Sequence, residues 1–350
     1  MIEDHQRLET VARIRRFRGL IADAQGTVVG FRGRKMLQCS PPYDQPQDVG
    51  VLPSGWKEKL AVLPFAARLL RMEIYRMVRT SAGTDIATSR RGVLRRGIDQ
   101  RTFSVTFDRF QGTRPISLCT DGQGRVYFGE YFGNPERQEV HIFCSEDDGR
   151  SWERCYTFPA GTIRHVHGLE YDVHRDKIWV MSGDYGDEAQ IALASPQFST
   201  YDIITQGGQS ARACSGICMP DAFLYATDTP LEQNHVFRLN PESGQRTSVA
   251  QVQQSTFFMG QACGGSFLST VVEPSEVHPT RSVHVWYSPE GSSWQEVYAA
   301  PRDRWSLKYF QYPLAFIAQG PVEAPHVFLS FRGTRGTDGD CLVGRIATTE

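Results

Sequence analysis

The feature that most constrains this chain is a local grammar that recurs from about Arg101 onward. An apolar strand, a tight turn and a second apolar strand are followed by a longer polar loop and two more strands joined by a turn. In the clearest unit PISLC leads through the turn DGQG to RVYFGE, then the loop YFGNPERQ, EVHIFCS, the turn EDDGR and SWERCYTF. Glycine and aspartate at such turns supply the left-handed or side-chain-bonded conformations that hairpins require. The same beat returns from HGLEYD to Thr205, from ARACSGICM to QRTSVAQV, and from FFMGQAC to SWQEVYA. Four-stranded units repeating at this length predict a β-propeller.

The final stretch, YPLAFIAQG, HVFLSFRG and DCLVGRIA, offers three strands. The fourth is expected from the N-terminus, an exchange that closes the ring and removes exposed edges. LIADAQGTVVGFRG reads as a hairpin and the region from Ile86 to Gly97 as strands, which brings the count to seven blades, with six as the alternative. The expected fold class is therefore all-β, one propeller domain over residues 1–350, a length that closed β architectures reach as a single unit. One segment breaks the pattern. Residues 65–78 (FAARLLRMEIYRMV) carry apolar side chains at helical spacing, follow Pro64 and lack turn residues, so an inserted amphipathic helix is expected there.

Composition excludes several classes. Hydrophobic residues make up 40% and aromatics 11%, enough to fill a core, so disordered and collagen-like chains drop out. A net charge of -1 gives no bias toward nucleic acid. The start, MIEDHQRLETVARIRRFRG, lacks the apolar core of a signal peptide, and no later run is long and apolar enough to cross a bilayer. A cytoplasmic protein without a transmembrane segment is expected. Most of the eight cysteines sit in apolar runs such as HIFC and GICM and read as reduced core thiols. Cys214 and Cys218 have a CxxxC spacing without a second pair, and no metal is assigned to them. Arginines crowd the first third, among them Arg18, Arg68, Arg71, Arg76 and Arg95, a charge that fits solvated faces or an anionic glycan or lipid surface.

Ser145-Glu146-Asp147-Asp148-Gly149-Arg150-Ser151-Trp152 fills every fixed position of the pattern S-x-D-x-G-x-[ST]-W. A degenerate copy, Tyr287 to Trp294, keeps Gly291 and Trp294 in register at the equivalent hairpin of another blade. On these residues the chain resembles the sialidase-like propellers with Asp-boxes, also called bacterial neuraminidase repeats, over roughly Arg101 to Ala300. The resemblance implies a fold in which the motif is structural. Such propellers include sialidases, other glycosidases, polysaccharide lyases, plant photosystem assembly factors and sorting receptors. The F-R-I-P segment, the arginine triad and the tyrosine–glutamate pair of sialidases proper have no recognisable match, so fold rather than sialidase activity is implied.

Strand parity sorts the loops. In a four-stranded meander the turns between strands one and two and between three and four share one rim. The other rim collects the connections between blades and the loops after second strands, and there ligands meet a propeller's central channel. Glu130, Asn134, Asp184, Asp228 and Glu273 follow second strands, whereas Arg164, His165, His167, Gln209, Arg212 and Gln311 precede or open first strands. All eleven are therefore expected at one mouth. His165 and His167 share a strand face by the period of two.

The chemistry expected of this set is that of a carbohydrate-active enzyme on an anionic sugar or oligosaccharide. In hydrolysis, a pair among Glu130, Asp184, Asp228 and Glu273 supplies the acid and the base or nucleophile. In elimination, Arg164 or Arg212 neutralises a uronate carboxylate while a histidine or tyrosine takes the α-proton, with or without a divalent metal held by His165 and His167. Asn134, Gln209 and Gln311 complete the expected substrate contacts. The alternative is a non-catalytic glycan-binding or assembly propeller, with the 65–78 helix as a docking element for protein partners.

Overall fold

Each repeat pairs its own consecutive strands antiparallel, because tight turns leave neighbours in sequence as neighbours in space. The computed structural model describes residues 5–53 and 73–349. It contains seven four-stranded sheets. Blades 1 to 6 occupy residues 18–51, 77–107, 119–158, 166–206, 213–252 and 256–301, each in simple meander order. Blade 7 joins strands Leu314–Ile317, Val327–Arg332 and Cys341–Thr349 to the chain's first strand, His5–Ile14, which pairs antiparallel with Cys341–Thr349. The seven-bladed count holds and six does not.

The first strands of blades 1 to 7 are innermost. They touch one another in sequence around the axis, and Arg18–Ala22 contacts Leu314–Ile317 to close the circle. Apolar side chains between adjacent sheets hold the ring together. Trp152 and Phe128 of blade 3 pack 5.1 Å apart against Ile86 and Val93 of blade 2, and Trp179 of blade 4 stacks 4.4 Å from Phe223 of blade 5. A fully buried ring of this size contributes on the order of 3 kcal/mol.

The helix expected over residues 65–78 is not supported. Residues 65–72 lie outside the described residues, 73–76 are irregular, and Met77–Arg79 is the inner strand of blade 2. The apolar spacing that suggested a helix has another cause here: Ile74 and Met77 fill the core between blades 1 and 2, while Tyr75 packs at 5.6 Å on Phe258 of blade 6. Among the described residues the only helical elements are two short 3-10 turns, and no helix is long and apolar enough to cross a membrane.

Candidate functional site

The site grows out of the mouth end of blade 4. Its inner strand, Val166–Asp172, slips register against its neighbour between Val166 and Gly168, a bulge that re-aims His167. Inner strand Ala213–Cys218 of blade 5 carries a bulge at the same level, between Ala213 and Gly216, beside Cys214. Glycine at 168 allows the two strands to approach, since a Cβ there would lie 2.5 Å from the Cys214 carbonyl oxygen. Gly183, at φ +72, turns the chain after strand Lys177–Ser182 and so places Asp184 over the histidines. The Gly183 N–H donates to the His165 carbonyl at 3.1 Å, and Gln209 Nε2 holds the Asp184 carbonyl at 2.9 Å from the next connection.

Here the two imidazoles stack with centroids 4.7 Å apart and Nε2 atoms 2.7 Å apart. His165 Nδ1 donates to the Phe132 carbonyl at 3.0 Å. Asp184 lies 3.4 Å from His165 Nε2 and 3.2 Å from His167 Nε2. Behind them Cys214 Sγ is 3.3 Å from His167 Nδ1 and donates to Asp228 Oδ2 at 3.1 Å. Arg212 bridges the acids, reaching Asp184 at 3.3 Å and Asp228 at 3.4 Å. Tyr131 covers His165 with ring centroids 4.4 Å apart.

Electrostatics follow from this crowding. Burial opposes charge on Asp184, but the facing His165 and His167 outweigh it and hold the carboxyl well below its usual range. Burial lowers His167 despite Asp184. Burial also disfavours the Arg212 cation, yet Asp228 and Asp184 reverse this and fix its charge. The Cys214 thiol is pushed far up, by burial and then by Asp228, which keeps it protonated and rules out a thiolate nucleophile in this arrangement. Glu273, whose carboxylate accepts from Ser255 Oγ, is pushed up to about 7 by burial and by Asp228, against the pull of Ser255 and Arg212.

The structure brings His165, His167, Asp184, Asp228 and Arg212 into one contact network, with Glu273 within its electrostatic reach. The other sequence-predicted residues have different employment. Glu130 is consumed by the backbone N–H groups of Gln111 and His141, at 2.7 and 2.9 Å. Asn134 staples its own loop to Gln138 and to the Arg164 carbonyl. Arg164 pairs with Glu188 at 3.1 Å and lies over Tyr185, which also faces Arg212. Gln209 positions the Asp184 loop. Gln311 is buried in the connection between blades 6 and 7.

Several residues at the mouth were not among the site residues expected from sequence. Tyr131, Glu188 and Cys214, the last noted only for its CxxxC spacing, belong to the network just described. Next to it stands an arginine group from blades 1 and 7 and from the connections entering blades 2 and 3. Arg18, almost fully buried, lies 3.4 Å from the Phe316 ring centroid and donates to the Tyr75 carbonyl at 3.0 Å. Arg332 pairs with Glu73, Arg114 lies 4.5 Å from the Tyr75 ring centroid, and Arg76 faces Phe258 at 5.2 Å. Burial and then repulsion from Arg114 and Arg332 depress Arg18. The two groups share a rim by strand parity, since Arg18 opens the first strand of blade 1 and Arg332 ends the second strand of blade 7, as Val166 and Ser182 do in blade 4. The signal for Arg18 and Arg76 was the crowding of arginines in the first third, but nothing in the sequence says that Arg114 and Arg332 converge with them. A cleft of about 450 Å³ at the far end of the channel, lined by Thr27, Gln38, Thr120 and Gln319 among others, gathers none of the predicted residues.

Among the described residues two donor sets could hold a metal: His165, His167 and Asp184, and His167, Cys214 and Asp228. No protein-family profile matches this chain, and no curated protein does. Solved structures do resemble it. One in the "Crystal Structure of Mitotic Checkpoint Complex" aligns with TM-score 0.60 and 11% identity over 98% of this chain and 94% of that one. The RRP9 WD40 repeats align with TM-score 0.60 and 8% identity over 99% and 98%. The GH74 enzyme of Niastella koreensis aligns with TM-score 0.53 and 12% identity over 83% of this chain and 46% of its own. At these identities the likeness establishes a shared fold: the chain is a seven-bladed β-propeller.

Proposed function

We propose that this propeller is a carbohydrate-active enzyme of the sialidase-like, Asp-box type that takes an anionic sugar or oligosaccharide at the mouth, and that elimination is its reaction. The observation carrying this reading is the mixture of groups there: His165, His167 and Asp184 beneath Tyr131, beside Arg212 and the buried Arg18. Arg212 and the neighbouring arginines neutralise a uronate carboxylate, which acidifies the adjacent C–H. Burial holds the Tyr131 phenol protonated, so a base from the imidazole pair takes that proton, a C=C bond forms, and the C–O bond to the leaving sugar breaks. The leaving oxygen takes its proton from Glu273, which is still substantially protonated near neutral pH because burial raises it to about 7.

Hydrolysis is less well served. It needs two carboxylates free to work, and Glu130 is locked by backbone amides while Asp184 is ringed by two imidazoles and Arg212. Only Asp228 with Glu273 remains of the expected set. Incubation with a panel of uronate-containing glycans decides between the readings. A product with ultraviolet absorbance from a new double bond supports elimination, and new reducing ends without it support hydrolysis. Saturable binding without either product would make this a glycan-binding or assembly propeller, a role that the full-length likeness to WD40 repeats also fits.

A further inference from the structure

Hydrogen-bond accounting around the histidine pair leaves one position short. His165 Nδ1 faces a carbonyl oxygen and must carry the proton, so in the neutral ring its Nε2 is a bare lone pair. That lone pair points at His167 Nε2, 2.7 Å away, and both nitrogens face the Asp184 carboxylate at 3.4 and 3.2 Å. If the space between them holds only a proton, that proton sits on His167 Nε2 and His167 Nδ1 is bare. Cys214 then has one S–H for two acceptors, His167 Nδ1 at 3.3 Å and Asp228 Oδ2 at 3.1 Å. A cation bound by both Nε2 atoms and Asp184 removes the conflict. His167 Nδ1–H then donates to Cys214 sulfur, and Cys214 S–H donates to Asp228.

We propose that His165, His167 and Asp184 bind a first-row divalent transition metal ion, Zn²⁺ being the best fit, at the channel mouth. Ligand bonds of about 2.0–2.1 Å in a tetrahedral site separate donor atoms by roughly 3.3 Å. His167 Nε2 lies 3.2 Å from Asp184 Oδ1 and His165 Nε2 3.4 Å from Oδ2, so a turn of the carboxylate brings one oxygen to both imidazoles. The Nε2 pair must also part, by roughly half an ångström. The second-shell contacts of a metal-binding histidine are in place too: the Phe132 carbonyl fixes His165, and Cys214 with Asp228 backs His167. Two imidazoles and one carboxylate suit a transition metal, whereas Ca²⁺ and Mg²⁺ prefer all-oxygen shells. Arg212 does not replace the ion, because it touches the acids and neither Nε2. Asp184 retains 14% side-chain exposure, which leaves a fourth ligand position open to water or a substrate oxygen.

This inference concerns the same site as the elimination reading and sharpens it: with the imidazoles committed to metal, the base would be Tyr131, whose phenol is otherwise held protonated by burial and which a cation beside it would help to ionise. The test is direct. Purified protein is stripped with a chelator, titrated with Co²⁺ and Zn²⁺, and its bound metal is counted by elemental analysis. One equivalent per chain with a four-coordinate Co²⁺ visible spectrum is expected, lost in Asp184→Asn and in His165→Ala and retained in Cys214→Ser. Circular dichroism and thermal melts identify any variant that fails to fold, and Asp184→Asn keeps the shape of the side chain. Less than a tenth of an equivalent in folded wild-type protein would overturn the proposal, as would binding that survives Asp184→Asn. A sulfur-to-cobalt charge-transfer band abolished by Cys214→Ser would overturn it in favour of the second donor set. Turnover by metal-free protein would remove the metal and leave the elimination reading standing, whereas one bound equivalent without turnover on any glycan would do the reverse.

Discussion

The two rims of this propeller both bury carboxylates, and they treat them differently. On the rim of tight turns each acid is spent on local structure. Asp121 accepts from the Gln123 and Arg125 amides, Arg125 Nε and Tyr127 Oη, all within 3.0 Å. Asp147 accepts from Ser145, Ser151 and the amides of Arg150 and Ser151, and Asp172 from His174, Arg175 and Trp179. At the mouth a carboxylate oxygen, Asp228 Oδ1, is buried without a hydrogen-bond partner, as are Arg212 Nε and Nη1 and Gln209 Oε1, whereas in the Asp121 cluster it is a donor, Arg125 Nη2, that goes unpaired. A satisfied cluster rigidifies a turn, while an unsatisfied one costs stability and is kept for a ligand.

Substitutions that exchange these properties test the contrast. The largest effect is expected at the mouth, where Asp184→Asn should lower turnover of an anionic glycan by about 10²–10⁴-fold. Its melting temperature should also fall, because asparagine lacks the charge that Arg212 and the two imidazoles face, so turnover is compared on the folded fraction by steady-state kinetics beside thermal melts. Trp152→Ala on the turn rim should cost about 3–5 kcal/mol in denaturant unfolding while specific activity of the folded fraction is unchanged. Asp147→Ala should cost about 1–2 kcal/mol, again without kinetic consequence. A turn-rim variant that abolished turnover while folded would break the distinction.

The smallest effects are in pH dependence, and the regions should differ in sign. Glu170 lines the channel and is pushed from 4.5 up to about 7, by burial against the pull of Arg76, Ser215 and the Gly216 amide. The folded state then holds the extra proton, so this residue's contribution to stability falls as pH rises across that window. Asp147 is affected by burial, but its hydrogen bonds from Ser151, Ser145 and Arg150 prevail and draw it from 3.8 down to about 2. Its contribution is complete above that window and fades as pH falls through it. Melting curves across pH should flatten at the upper window in Glu170→Gln and at the lower one in Asp147→Ala.

How legible was this in the sequence? Blades 3 to 6 could be read strand by strand, because alternating apolar residues and Gly/Asp turns mark each hairpin, and the same parity put His165, His167, Asp184, Asp228 and Arg212 at one mouth. Parity gives a rim but no distance. Glu130 and Asn134 sit on that rim yet serve their own backbone, since a loop after a second strand must first satisfy its own amides. Cys214 was noticed only for its spacing to Cys218, whereas the bulge beside it turns the thiol toward His167. The segment 65–78 misled for a physical reason: inter-blade packing at Ile74 and Met77 imitates the three-residue spacing of a helix face.

The most direct measurement is a crystal structure of the protein soaked with an anionic uronate oligosaccharide. The account predicts the sugar at the mouth, its carboxylate within hydrogen-bond distance of Arg212 or the neighbouring arginines and its reacting carbon facing Tyr131 and the histidine pair. A ligand seated instead in the cleft lined by Thr27, Gln38, Thr120 and Gln319, with the mouth unchanged, would contradict it.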